Sequence, residues 1–169
     1  MFRTTAPLAA LFGVATVVLL TQVPAHAYTT TATVVKIIDG DTVDVRYPDG
    51  GQDRVRILGI DTPETKHPNK PVECGGPEAT TFATDQLGGR VVSLRTDPTQ
   101  DERDRYQRLL ATVDRDGWNY SVEAARAGIA RAYIYDDTPV TDYPQIAAAQ
   151  QQAQAEGRGI WGPPCNGSR

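Results

Sequence analysis

The stretch TTTATVVKIIDGDTVDVRYPDGGQDRVRILGI, residues 29–60, predicts three consecutive β-strands. Its first part is rich in β-branched residues and its second alternates apolar with polar residues, and both patterns are typical of strands. The Asp39-Gly40 pair and the PDGG segment at 48–51 are turn signals between these runs. We therefore expect a meander of three strands, at Thr29–Ile38, Asp41–Tyr47 and Asp53–Ile60.

The rest of the chain predicts two more strands and three helices. A helix is expected to begin at Gly76, where Pro77 suits the first turn, and to end at Gly88. The order β-β-β-α-β-β-α-α predicts an α+β protein with a five-stranded OB-fold β-barrel and three α-helices, a fold that binds oligonucleotides or oligosaccharides. The other predicted elements are strands at Arg90–Arg95 and Arg108–Asp114 and helices at Asn119–Gly128 and Asp142–Glu156.

The first 27 residues have the layout of a secretory signal peptide. Arg3 precedes an apolar run at 8–20, and small residues before a cleavage site after Ala27 close the segment. The apolar run is shorter than the about 20 residues that a membrane-spanning helix needs, although an uncleaved N-terminal anchor is the alternative. We expect a signal peptide at 1–27 and a single secreted domain at 28–169, with no membrane attachment after cleavage.

The charge balance and the cysteine content indicate how the protein can bind nucleic acid and in which compartment it works. The chain has 17 basic and 21 acidic residues, a formal net charge of −4 that argues against binding nucleic acid by bulk charge alone. A local basic site on an acidic body remains compatible with that balance. In an exported protein the lone pair Cys74 and Cys165 favours a disulfide, and two free thiols are the alternative.

Charged residues are concentrated where predicted strands begin or end. Asp41 follows the first turn, and Asp61 and Glu64 follow the third strand. Carboxylates that converge at one end of a barrel suit a hard cation such as Ca²⁺, and a further carboxylate can act as a base toward a bound water. The RDRYQR segment (103–108) supplies arginines, which bind phosphate oxygens through paired hydrogen bonds.

Each of these features also has a structural explanation. Asp41 can be an Asx-turn residue, and the DTPE segment (61–64) can be an ordinary loop before a helix. The charge run at 101–108 can be a solvated surface, and Arg56 can pair with Asp44 across two strands. Spacing alone leaves both sets of explanations open.

Five segments, in this order, resemble the thermonuclease (staphylococcal nuclease-like) family over roughly residues 34–161. The DTPE segment with its upstream arginine and the DRYxR segment are specific in combination. The resemblance implies a Ca²⁺-dependent endonuclease that hydrolyses DNA and RNA and leaves 3′-phosphate ends. A monomer is the default expectation. A secreted OB-fold module that binds nucleic acid without cleaving it is the alternative. The segments are IDGDTVDV, RVRILGIDTPETKHP, GPEAT, DRYQRLLATV and GIARAYIY.

The same resemblance implies roles for individual residues. Asp41 and Asp61 would bind Ca²⁺ through their carboxylates, and Thr62 would bind it through its backbone carbonyl. Glu64 would position or deprotonate the attacking water, while two arginines would hold the scissile phosphate. The implied catalytic residues are Arg56, Glu64 and Arg108.

The implied substrate-binding residues lie in two segments. Arg105 and Tyr106 would contact a terminal phosphate, and Tyr133 and Tyr135 would form an aromatic wall on which a base stacks. The chain departs from the family's pattern at Gln107, where glycine is usual. We therefore expect the loop that carries the arginines to be stiffer or differently shaped than in the family.

Overall fold

In the computed structural model, which describes residues 27–65 and 71–168, five long strands close into a barrel. Strands β1 (Thr29–Ile37), β2 (Thr42–Arg46) and β3 (Gln52–Ile57) form the expected meander. Strand β5 (Val91–Arg95) pairs with β1, and β6 (Leu109–Arg115) pairs with β5. The barrel closes because β3 also pairs with β6 in parallel, with Val55 opposite Leu109. The OB-fold barrel with three helices is thereby confirmed.

The strands are β1 (Thr29–Ile37), β2 (Thr42–Arg46), β3 (Gln52–Ile57), β4 (Ile60–Asp61), β5 (Val91–Arg95), β6 (Leu109–Arg115), β7 (Trp118–Asn119) and β8 (Arg131–Ala132). The helices are α1 (Gly76–Leu87), α2 (Tyr120–Arg126) and α3 (Tyr143–Ala155), and a 3₁₀ turn follows at Gly159–Trp161. The short strands β7 and β8 and the 3₁₀ turn were not predicted from the sequence, because two or three residues are too few to show a periodicity.

Alternation along the strands builds the core of the barrel. Val43 and Val45 in β2 and Val55 and Ile57 in β3 are fully buried, and polar or charged residues alternate with them. The three inward residues of β6 follow the same rule. The interior is therefore filled with branched aliphatic side chains, and polar residues are left for the rims.

The third predicted strand was too long, since it breaks at Gly59. Gly59 has a φ of +79°, and a Cβ there would lie 2.5 Å from the Cδ1 of Ile146 in α3. The chain turns at this point and continues as β4, which leaves the barrel and pairs with β8. The break matters for function because it carries Asp61 to the mouth of the barrel.

Helix α2 holds this break and the first turn in place. Asn119 caps the helix through a hydrogen bond from the Val122 amide to its side-chain oxygen. The buried Tyr120 hydroxyl donates to the Gly40 carbonyl at 2.8 Å, and the Ser121 hydroxyl donates to the Leu58 carbonyl at 2.7 Å. Two neighbouring residues of one helix thus fix both segments that supply acids.

Cys74 and Cys165 form a disulfide, as the sequence predicted. Their Cα atoms are 5.6 Å apart, and the bridge joins the start of α1 to the C-terminal segment. Residues 1–26 of the expected signal peptide lie outside the described residues. No helix among the described residues has the length and apolarity that crossing a membrane requires.

Replacing both cysteines by serine should lower the free energy of unfolding by about 4–5 kcal/mol, the chain-entropy value for a loop that spans 91 residues. Urea unfolding followed by circular dichroism measures the change. Reductant should weaken the wild type and leave the double variant unaffected. Equal stability of the two proteins under oxidising conditions would contradict the expectation.

Candidate active site

Asp41 lies at the mouth of the barrel with only 6% of its surface exposed. Its Oδ2 accepts hydrogen bonds from the amide of Thr62 at 2.9 Å and from the Thr62 hydroxyl at 3.0 Å. Gly40 makes this approach possible, because a Cβ there would lie 2.8 Å from the Thr62 Cγ2. The turn after β1 and the end of β4 are thus joined through one carboxylate.

Arg56 lies between two of the acids. Its Nε is 3.3 Å from Asp41 and its Nη2 is 3.7 Å from Asp61, while its Nη1 donates to the Ile57 carbonyl. The Arg56 side chain is 16% exposed, so its charge acts in a partly desolvated setting. The cross-strand partner of Asp44 is Arg54 and not Arg56, so the structural explanation considered for Arg56 is wrong.

The acids and Arg56 line a cleft of about 240 Å³, which we call the acidic cleft. Glu64, which follows Pro63, and Arg108, which directly precedes β6, also line it. Two acids that the sequence did not suggest are also present, Asp39 and Glu73. The lining residues are Asp39, Asp41, Thr42, Arg56, Asp61, Thr62, Pro63, Glu64, Glu73 and Arg108.

Crowding of carboxylates is visible at Asp39. Burial, reinforced by the nearby charges of Asp41 and Glu64, raises the pKa of Asp39 to about 6. The Asp39 side chain also accepts the Asp41 amide at 3.1 Å, which makes Asp39 the Asx-turn residue. The turn role that was considered for Asp41 thus belongs to its neighbour, and the Asp41 carboxylate is left to face the cleft.

The arginine loop, residues 102–108, is ordered by an acid that the sequence analysis overlooked. Asp104 accepts the Arg108 guanidinium at 2.7 Å and the backbone amides of Tyr106 and Arg108. Burial alone would raise the pKa of Asp104, but these hydrogen bonds outweigh it and lower the pKa below its usual value. The i to i+4 spacing of Asp104 and Arg108 was a signal that could have identified the pair.

Gln107 adopts a backbone conformation that suits the glycine usual at this position in the family. Its φ is +62°, in the left-handed region, which costs a residue with a side chain more than glycine. The Arg103 guanidinium compensates by donating to the Gln107 carbonyl at 3.0 Å and to both carboxylate oxygens of Asp53. The charge run at 101–108 is therefore an ordered loop tied to β3, although several of its side chains are exposed to solvent.

The predicted substrate-binding residues line a second depression of about 610 Å³, the tyrosine groove. Arg105 stacks over the Tyr106 ring at 4.7 Å and donates to the hydroxyl of that residue. Tyr106 and Tyr135 are each 64% exposed, and the Arg108 guanidinium also lies 5.5 Å from the Tyr106 ring. The groove shares Arg56, Asp61 and Arg108 with the acidic cleft, and its other functional residues are Arg105, Tyr106, Tyr133 and Tyr135.

No metal centre is preformed among residues 27–65 and 71–168, since no three acidic, histidine or cysteine side chains there are gathered closely enough to hold an ion. Arg56 lies between Asp41 and Asp61, which accounts for this spacing. The oxygens that line the cleft are nevertheless those that Ca²⁺ selects.

Comparison with known proteins supports an assignment of this site. A model of the staphylococcal nuclease homologue family matches residues 54–163. The thermonuclease of Staphylococcus hyicus is 41% identical over 129 residues, which cover 76% of this chain and 73% of that protein. The thermonuclease of Staphylococcus intermedius is 38% identical over 75% of this chain and 73% of its own length. Endonuclease YncB of Bacillus subtilis is 39% identical over 75% of this chain and 59% of its own length.

Exchange of Asp53 for Asn should weaken the attachment of the arginine loop in a pH-dependent way. Hydrogen bonds from Arg103 lower the pKa of Asp53, so its stabilising effect is present above the unfolded pKa of about 4 and is lost as the pH falls through the folded value. We expect Asp53→Asn to cost about 0.5–1 kcal/mol at pH 7, because solvent screens this partly exposed pair, and less at pH 3. Urea midpoints of both proteins at the two pH values measure it. An equal difference at both would mean that charge is not responsible.

Proposed function

This chain belongs to the staphylococcal nuclease family, and we propose that it is a secreted, Ca²⁺-dependent nuclease that cleaves both DNA and RNA and leaves 3′-phosphate ends. One observation carries the proposal. A cleft lined by acids and a groove lined by arginines and tyrosines meet at the same barrel mouth, and they share Arg56, Asp61 and Arg108. A phosphodiester bound at this junction would have cation-binding oxygens on one side and guanidinium groups on the other.

The groove suits a polynucleotide strand. Tyr133 and Tyr135 offer aromatic faces for a base, which bind without regard to base identity. Arg105 and Tyr106 would bind a neighbouring phosphate, since the guanidinium of Arg105 and the hydroxyl of Tyr106 lie side by side. These contacts require unpaired or separable bases and do not distinguish deoxyribose from ribose, which fits activity on both DNA and RNA.

Asp41, Asp61 and the carbonyl of Thr62 would hold the Ca²⁺ ion. The donor chemistry fits, because carboxylate and carbonyl oxygens are the ligands of this cation. Burial first, and then the nearby charges of Asp41 and Glu64, raise the pKa of Asp39, and a cation would relieve that negative charge. When bound, the ion would polarise the phosphoryl oxygen and withdraw electron density from phosphorus.

The chain's own residues then account for the rest of the hydrolysis. Glu64 would orient a water and accept one of its protons, as the water oxygen forms a bond to phosphorus. The bond from phosphorus to the 5′ oxygen breaks, and that oxygen takes a proton from solvent to leave as a 5′ hydroxyl, while the phosphate stays on the 3′ oxygen. Arg56 and Arg108 would bind the oxygens that gain charge in the five-coordinate transition state.

Secretion and domain organisation belong to the same proposal. The disulfide between Cys74 and Cys165 is typical of an oxidising compartment, and a signal peptide at 1–27 would deliver a domain at 28–169 there. We expect the mature protein to act as a monomer.

The purified protein should degrade both plasmid DNA and RNA in the presence of Ca²⁺, and it should degrade neither in the presence of chelator. Glu64→Gln, which keeps the shape of the side chain and removes its basicity, should lower kcat by about 100-fold or more. End analysis should find 3′-phosphates. Nucleic-acid binding without loss of DNA would instead favour a non-catalytic OB-fold module, and full activity of Glu64→Gln would overturn the role given to that residue.

A further inference from the structure

Glu73 contacts the backbone of Glu64, which lies nine positions earlier in the chain. The Glu64 amide donates to the Glu73 Oε2 at 3.1 Å, and the Glu73 amide donates to the Glu64 carbonyl at 2.9 Å. The carboxylate of Glu73 thus engages the main chain of Glu64, and both residues line the acidic cleft. The Glu64 carboxylate itself accepts the amide of Thr65 at 2.8 Å, so the same stretch of main chain also orients that carboxylate.

The next residue fixes Glu73 in turn. Cys74 is bonded to Cys165, and the Gly76 amide, at the start of α1, donates to the Glu73 carbonyl at 3.0 Å. Glu73 is therefore held by the covalent cross-link at the next residue and by a hydrogen bond from the first residue of α1. The cross-link and the hydrogen bond together restrict the backbone freedom of Glu73.

The C-terminal segment that carries Cys165 is also held in place by contacts of its own. Arg131 stacks over Trp161 at 4.5 Å and donates to the Gly167 carbonyl at 2.8 Å, which holds the segment around Cys165. Arg131 belongs to β8 and pairs with Asp61 of β4. The C-terminal segment is thus connected to the acidic cleft at two places, through the disulfide and through β8.

We propose that Glu73 is a positioning residue for Glu64, and that the Cys74–Cys165 disulfide keeps it in place. The proposal rests on the function proposed above for Glu64. Glu73 touches neither substrate nor water in this scheme, and it acts by fixing the backbone from which Glu64 reaches the attacking water. Because a misplaced base lowers the rate of the chemical step and not the affinity for substrate, loss of Glu73 acts on kcat.

The test compares Glu73→Ala, which removes the acceptor, with Glu73→Gln, whose amide oxygen can still accept the Glu64 amide. Glu73→Ala should lower kcat on single-stranded DNA by about tenfold, with KM changed by less than about twofold, since one hydrogen bond to a charged group is lost. Glu73→Gln should recover most of that loss. Asp85→Ala, at an exposed acid on α1, is the matched control and should behave as wild type.

Hydrogen exchange of individual amides supplies a readout besides activity. In Glu73→Ala the Glu64 amide should lose protection, while the amide of Val43 in the barrel keeps it. In the Cys74→Ser/Cys165→Ser variant, protection of the Glu64 amide should fall by a larger factor than that of Val43. Equal losses at the two amides would show that the disulfide acts only on global stability and would overturn its part in the proposal.

Two outcomes separate this proposal from the one on which it depends. An inactive wild type would remove the proposed function itself. An active wild type whose kcat survives Glu73→Ala unchanged would leave that function intact and overturn the positioning role of Glu73. A loss that Glu73→Gln fails to recover would also overturn it, because the negative charge would then matter and not the hydrogen bond.

Discussion

The carboxylate of Asp41 joins the two chain segments from which the site is made. One of its oxygens accepts two hydrogen bonds from Thr62, and the other lies beside the Nε of Arg56. Because Asp41 is buried, these contacts are made where the dielectric constant is low and each is stronger than at the surface. Without them the turn after β1 and the exit of β4 would lose the hydrogen bonds that join them, and Arg56 would lose one of the two acids that flank it.

The sequence predicted the barrel well because buried apolar residues alternate with polar residues along its strands, as Val43 and Val45 do in β2. It predicted the disulfide, and the resemblance selected residues that the structure brings to one barrel mouth. Glu73 escaped prediction because its role depends on a contact between backbone segments nine positions apart, which leaves no periodic mark. The break at Gly59 was missed because the residues on both sides of it are apolar, and only the approach of Ile146 reveals the need for glycine.

Charge is distributed so that an acidic protein can receive a polyanion. The net charge of −4 would repel nucleic acid at long range, but the guanidinium groups of Arg105 and Arg108 face the tyrosine groove. Asp53 and Asp104 neutralise part of this loop while they order it, through Arg103 and Arg108 respectively. The arrangement favours short-range contacts to phosphates and stacked bases over bulk electrostatic attraction, so binding should depend less steeply on salt than that of a basic protein.

The Ca²⁺ site proposed around Asp41 and Asp61 is the feature on which the proposed function depends most directly. Titration of the ¹⁵N-labelled protein with Ca²⁺, followed by amide chemical shifts, tests this without any need for catalysis. We expect chemical-shift changes that saturate as for a single site and are concentrated at residues 39–42 and 61–64. Asp41→Asn should abolish them. Shifts that are absent, or that survive in Asp41→Asn, would contradict it.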